Sequence, residues 1–238
     1  MKVNWFYIKM TVLIVITVFL FGFSARRSTA KKIEGVQVNF ETGNNLFITA
    51  AEVDKLLIQS DEHLTGKDKE ALVLKTLEQK LNANAMIAHA EVYMTLNGIV
   101  GANIEQRKPL ARIEAQIPYY LDETGSIMPL SPNYSARVPI INGVDKDNIS
   151  EVFPLVEYIK NDELLNKQII GLTRHRNGTY TLTPRIMDYR INLGKTEGME
   201  SKFNNYKAFY QKTLKDDSLE KYSLVDLRFK GQVVGTKK

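Results

Sequence analysis

Hydrophobic positions along this chain fall into three regimes. Residues 3–25 are almost continuously apolar, residues 35–104 alternate with two different periods, and from Pro109 onward short apolar runs are separated by turn residues. In the first regime Met10 to Ala25 is extended upstream by Trp5, Phe6, Tyr7 and Ile8. Lys9 interrupts it, but a lysine near a helix end can carry its ammonium to the headgroups. The core is Val12, Leu13, Ile14, Val15, Ile16, Val18, Phe19, Leu20 and Phe21, with only Thr17 polar among them. Counted from Val3, the stretch is long enough for a bilayer core of roughly 30 Å, with Trp5 and Tyr7 at the interface. Arg26 and Arg27 follow Ser24 and Ala25 at once, which disfavours a cleavage site. The expectation is an uncleaved anchor: a short tail over 1–9 and a transmembrane helix core over 10–25. Lys2 and Lys9 lie before it and Arg26, Arg27, Lys31 and Lys32 after it, so charge counting leaves orientation undecided.

The second regime predicts one small α+β unit. Val36, Val38 and Phe40 alternate, as on a half-buried strand. Thr49 with Glu52 three residues later is a capping box for a helix to Gln59, whose stripe is Val53, Leu56 and Leu57. A second helix is expected from about Lys67 to Leu81, with Leu74, Leu77 and Leu81 on one face. Met86, Ala88, Ala90, Val92, Met94 and Leu96 then alternate up to Asn97-Gly98, and Val100, Ala102 and Ile104 return. Asn-Gly between alternating strands predicts a two-residue hairpin with positive φ at both residues. The order is β-α-α-β-β: two helices on a three-stranded sheet.

Beyond Pro109 the texture predicts a β-rich unit with a few helices. Strands are expected over 111–117, around the Asp122-Glu-Thr-Gly125 turn, over 136–143, 169–175 and 180–184, and over 190–194. A helix is expected from Ser150, as N-cap, to Ile159. Met199, Phe203, Tyr206, Phe209 and Tyr210 recur at helical spacing with no polar ligand residue among them, which reads as a core-facing stripe. Tyr222 to Phe229 is the last expected strand; Val233 and Val234 are left open.

Composition removes several function classes. Hydrophobic residues at 44% and charged residues at 25% are ordinary for a globular protein. The net charge of +5 is mild and no Lys/Arg block stands out, which argues against nucleic-acid binding. Cysteine is absent, which excludes disulfides, thiolate metal sites and cysteine nucleophiles. His89-Ala-Glu91 matches only the start of a zinc deaminase signature, whose cysteines this chain lacks. Glu62 with His63 supplies too few ligands for a metal, and Asp122 with Glu123 is explained by turn chemistry. Asn133, Asn148 and Asn177 open short glycosylation-type triplets of the kind that arise by chance. The expectation is no enzyme, no cofactor, no metal and no small-molecule substrate, leaving a tethered binding protein.

Several stretches carry a resemblance. QRKPLARIEA (106–115), YYLDETGSIMPLS (119–131), VPIINGV (138–144), RINLG (190–194) and YSLVDLRF (222–229) follow the order and spacing of the FtsQ/DivIB family of bacterial cell-division proteins. The β-α-α-β-β segment resembles a POTRA domain. The resemblance implies a POTRA-like domain over 33–107 and a β-rich domain over 108–238, with the bulk outside the cytoplasm and the protein at the division site. It further implies a non-enzymatic scaffold that binds FtsB and FtsL, with other division proteins reached through the POTRA-like domain. Asp226, Leu227, Arg228, Phe229, Lys230 and Gly231 stand where the family contacts FtsB. Ser223, Val225, Leu227 and Phe229 would then face the core, Asp226 and Arg228 would point outward, and the strand would be a sheet edge open to an added strand. Phe229 would be an aromatic anchor, Lys230 an ion-pair partner, and Gly231 a point of close backbone approach. A competing reading is a POTRA-containing export or assembly accessory of the envelope.

Overall fold

The structure, a computed structural model, describes residues 5–29, 35–41, 45–59, 71–95, 97–186 and 188–238. Lys2, Glu62, His63, Leu96 and the expected helix start at Lys67 lie outside the described residues. Contacts divide the chain into two compact units, Met1–Gln106 and Arg107–Lys238.

The first unit opens with helix α1, Trp5–Thr29. Every described side chain from Ile8 to Phe23 is exposed, and Lys9 lies 5.2 Å over the Trp5 ring. Among the described residues no helix is long and apolar enough to cross a membrane. The expected span is therefore met by a helix in the expected place, but established only as a helix.

Then come β1 (Gly35–Phe40), α2 (Ala50–Gln59), α3 (Ala71–Asn82), β2 (Ile87–Met94) and β3 (Ile99–Gln106). The sheet order is β1-β3-β2, with β1 parallel and β2 antiparallel to β3. The capping box forms as expected: Thr49 N–H donates to Glu52 Oε2 at 2.7 Å and Glu52 N–H to Thr49 Oγ1 at 3.2 Å. Val53, Leu57, Leu77 and Leu81 from the helices pack on Ile87, Ala90, Val92, Val100, Ala102 and Ile104.

Two details depart from expectation. A bulge between Ile87 and His89 shifts the phase of β2, so Ile87 rather than Ala88 is buried. The Asn97-Gly98 turn has positive φ only at Gly98, at 87°. Gly98 N–H donates to Thr95 O and Thr95 N–H to Ile99 O, with the glycine in the left-handed position before β3. The loops at Asp122–Ser126 and His175–Thr179 repeat this bonding, with Gly125 and Gly178 in the same role.

β2 lies at a sheet edge, and α3 covers that edge with side chains. Asn82 accepts from Ala90 N–H at 2.9 Å and donates to Ala90 O at 3.0 Å, while Glu78 accepts from Val92 N–H at 3.2 Å. A covered edge cannot template another strand.

The second unit contains β4 (Pro109–Glu114), β5 (Tyr119–Asp122), β6 (Ile127–Pro129), β7 (Ile140–Asn142), α4 (Ile149–Asn161) and α5 (Glu163–Gln168). It continues with β8 (Ile169–Arg174), β9 (Tyr180–Pro184), β10 (Arg190–Gly194), α6 (Met199–Lys215), β11 (Tyr222–Asp226) and β12 (Val234–Lys237). Among the described residues these strands form one nine-stranded sheet, ordered β12-β11-β10-β9-β8-β7-β4-β5-β6. Cross-strand pairing puts Val225, Ile191, Leu182, Leu172, Ile141, Ile113 and Tyr119 in one row. Val152, Leu155 and Val156 of α4, Leu165 of α5 and Phe203 and Tyr206 of α6 share their core. The aromatic stripe of α6 faces inward: Phe203 and Tyr206 are buried, and Met199, Phe209 and Tyr210 pack at the margin.

The α4 start differs from expectation. A 3-10 turn, Lys146–Asn148, precedes it, capped by Asp145, whose side chain accepts from Asp147 and Asn148 N–H; Ser150 lies inside the helix. α5 was not anticipated; Asp162 caps it by accepting from Leu164 and Leu165 N–H.

Candidate functional site at the C-terminal hairpin

β4, β7 and β8 are parallel, β9 is antiparallel to β8 and β10, and β10 is parallel to β11. The C-terminal ends of β4, β7, β8, β10 and β11 therefore share one end of the sheet. The residues singled out near the chain end gather there.

β11 ends at Asp226, short of the expected Phe229. Asp226 is buried rather than pointing outward, for a local reason. Its carboxylate accepts from Arg228 N–H at 3.0 Å, Arg228 Nε at 3.0 Å, Arg228 Nη2 at 2.6 Å and Asn192 Nδ2 at 3.3 Å. Burial alone would raise its pKa, but the Arg228 and Asn192 donors outweigh it and hold the carboxyl below the usual carboxylate range. Arg228 is correspondingly raised by the same hydrogen bonds and charge. The stem of Arg228 lies on Gly194, where a Cβ would come 2.7 Å from Arg228 Cγ. Leu227 N–H continues the ladder to Asn192 O at 2.9 Å, and its side chain is buried. Asn192, Gly194, Asp226 and Arg228 thus make a rigid knuckle that turns the chain.

Phe229, Lys230, Gly231 and Gln232 form the turn beyond it. Gln232 N–H donates to Phe229 O, and Gly231 has φ of 74°. That is the third position of a turn that needs glycine there, and among the described residues nothing beyond its chain neighbours lies within 4 Å of a Cβ built at Gly231. Phe229, expected on the core side, is 46% exposed, and Lys230 is exposed.

Val233 then packs at the core margin and β12 returns antiparallel to β11. The expectation that Tyr222–Phe229 is an uncovered edge is corrected: β11 lies between β10 and β12, and β12 is the edge. β11 carries the bulge, at Ser223. On regular β12, Lys238 N–H donates to Lys221 O at 2.8 Å, so the N–H groups of Gly235 and Lys237 point away from β11. Gly235 makes room for the Tyr222 ring, which would meet a Cβ at 2.5 Å and stands edge-on to Phe209, with centroids 5.2 Å apart.

Asp122, His175 and Asn177 have structural roles. Asp122 accepts from Arg107 at 2.6 Å, from Thr124 N–H and Oγ1, and from Ser126 N–H. These bonds outweigh burial and lower its pKa. His175 is bonded to Thr181 Oγ1 at 2.8 Å, and Asn177 accepts from Thr179. Among the described residues no cluster of three His, Asp or Glu could hold a metal.

The family model described as FtsQ/DivIB, C-terminal related, matches residues 108–236, and one described as a POTRA-like domain matches residues 31–105. The chain belongs to the FtsQ/DivIB family. A curated relative, the cell division protein FtsQ of Geotalea daltonii (strain DSM 22248 / JCM 15807 / FRC-32), is 26% identical over 107 residues. That match covers 40% of this chain and 39% of the relative, so the chain spans about two fifths of the length of the relative it matches. For an FtsQ/DivIB chain the residues missed in the sequence are Asn192, Gly194, Tyr222 and β12 itself. The available signal was Gly231 and Gly235 bracketing Val233-Val234, since glycines bounding a short β-branched run mark a turn and a strand.

Proposed function

We propose that this FtsQ/DivIB member is a membrane-anchored, non-enzymatic scaffold of bacterial cell division that takes a strand of FtsB on β12 and gathers FtsL with it. One observation carries the reading: among the described residues the sheet ends in a short strand whose outward N–H groups have no neighbour strand, beside a half-exposed phenylalanine and a lysine. An added strand gains main-chain hydrogen bonds along such an edge, and adjoining side chains supply specificity. Within Asp226 to Gly231 the roles divide. Asp226, Leu227 and Arg228 hold the knuckle, Gly231 shapes the turn, and Phe229 and Lys230 make the contacts.

The anchor is α1. Its 25 residues at about 1.5 Å each give about 37 Å, and its described side chains from Ile8 to Phe23 are exposed on all faces. Apart from Lys9, Thr11 and Thr17 these side chains are apolar; such a helix needs an apolar surrounding, and lipid supplies it. With the short tail inside, both units face the extracytoplasmic side at the division site, and the POTRA-like unit serves contacts with other division proteins.

The test is pull-down of FtsB by the full chain in detergent. Lys237→Pro removes one outward N–H while leaving the inward bonds to β11, and Phe229→Ala with Lys230→Glu removes the contacts. Both should lower FtsB recovery about tenfold or more at unchanged thermal stability. Full recovery with all three changes would sink the assignment of this edge.

A further inference from the structure

A second surface lies at the other end of the same sheet. Pro184 closes β9 at the end where β8, β10 and β11 begin, opposite the Asp226–Arg228 knuckle. Pro184, Ile186, Tyr189, Tyr210, Leu214 and Leu219 line an apolar cleft there of about 120 Å³. Ile186 is 64% exposed and Leu214 56%, so the cleft presents apolar side chains to its surroundings.

Three observations restrict the occupant. First, size: small-molecule sites run to roughly 300–1,000 Å³, whereas an apolar cavity of about 150 Å³ holds benzene, so this cleft takes one side chain. Second, polarity: Tyr189 and Tyr206 share a hydrogen bond at 2.8 Å, and Tyr206 donates to Gln168 Oε1 at 3.1 Å. The Tyr189 phenol and the Gln168 carbonyl of the lining are thus bonded from within, and with Pro184, Ile186, Leu214 and Leu219 around them the lining favours an apolar anchor. Third, charge: the charged residues lining the cleft are both cations, Lys167 and Arg185. Arg185 Nε donates to Lys167 O at 3.0 Å, which sets its guanidinium at the rim. Lys167 pairs with Glu163, but both side chains are largely exposed, so that pair exchanges readily with another carboxylate.

We propose that this cleft docks an acidic peptide segment of a partner protein, with one aliphatic or aromatic side chain between Ile186 and Leu214 and carboxylates on Lys167 and Arg185. It lies apart from β12, so it stands whether or not the edge-strand reading does.

The experiment pans a display library of random twelve-residue peptides on the full chain in detergent and titrates the enriched peptides. The expected binders carry one large apolar residue beside Asp or Glu. Ile186→Ser with Leu214→Ser, and separately Lys167→Glu with Arg185→Glu, should each weaken them about tenfold or more. All four residues are surface positions, and unchanged urea midpoints check folding. Phe229→Ala should leave these peptides unaffected. Enriched peptides that are neutral or basic, or indifferent to both variant pairs, overturn the proposal, as does failure to enrich any. Binding of anionic vesicles, or of a second copy of the chain, through Ile186 and Leu214 in place of peptide also overturns it.

Discussion

Gly235→Ala tests whether the C-terminal hairpin is held as described. A Cβ at residue 235 would lie 2.5 Å from Cε1 and 2.6 Å from Cδ1 of Tyr222. Carbon atoms pack best at about 3.5–4.0 Å, so the overlap is about 1 Å and the ring must leave its seat. Leaving costs the edge-on contact with Phe209, about 0.5–1.5 kcal/mol, and overpacking adds roughly 1 kcal/mol or more. Alanine returns about 0.4–1 kcal/mol by restricting the unfolded chain. The net loss is about 1–2 kcal/mol, confined to β11 and β12. Native-state hydrogen exchange reads it directly: amides bonded between these strands should exchange roughly 5- to 30-fold faster, with the β4–β9 amides unmoved. Tyr222→Ala in the same chain removes the clash, so the two changes together should cost less than their sum. Unchanged exchange in Gly235→Ala, or strict additivity with Tyr222→Ala, would refute the seating of Tyr222 on Gly235.

Other outcomes follow from the same geometry. Leu227→Ala, at a site 1% exposed, should cost about 2–5 kcal/mol in urea unfolding, whereas Phe229→Ala should stay within about 0.5 kcal/mol; equal costs would place Phe229 in the core. Asn82→Ala strands both backbone groups of buried Ala90 and should cost about 1–3 kcal/mol, a loss that a neutral urea midpoint would contradict. Asp122, Asp162 and Asp226 are all lowered when folded. The unfolded chain thus binds more protons in acid, so their contribution is complete above about pH 4 and is lost as pH falls through that value and through their folded values. Urea midpoints flat from pH 6 down to about pH 2.5 would exclude it.

Much of the fold was legible where local chemistry and burial agree. Thr49 with Glu52, the stripe of α6 and the alternation of β1 and β3 each point the same way at every level, which is what makes a sequence readable. Departures came where one extra residue or one tertiary bond decided the outcome. The bulge at Ile87–His89 reverses which of Ile87 and Ala88 is buried, and an unbroken period-2 count carries no sign of an inserted residue. α5 is only six residues long and follows α4 directly, so its helical period was lost in the neighbour's. Asp226 reads as an outward residue by alternation, yet Arg228 and Asn192 make burial tolerable, and two-residue and cross-strand partners are invisible to a period-2 count.

β12 was hidden for a reason that bears on its use. Val-Gly-Thr-Lys gives a weak strand signal, because Gly235 and Lys237 offset Val234 and Thr236; the Tyr222 ring supplies the packing over Gly235 that the glycine lacks. This edge is short and carries Lys237, with Lys238 just beyond it. Lysines on an edge discourage indiscriminate pairing, including with a second copy of the same edge. They do not discourage a strand that brings carboxylates opposite them. On the proposed edge-strand reading the edge selects by charge what it binds by backbone, and Lys237→Glu should weaken an acidic partner strand about tenfold while leaving the inward β11–β12 bonds intact. A gain in FtsB recovery from Lys237→Glu would instead mean that the partner strand is basic and the lysines repel it.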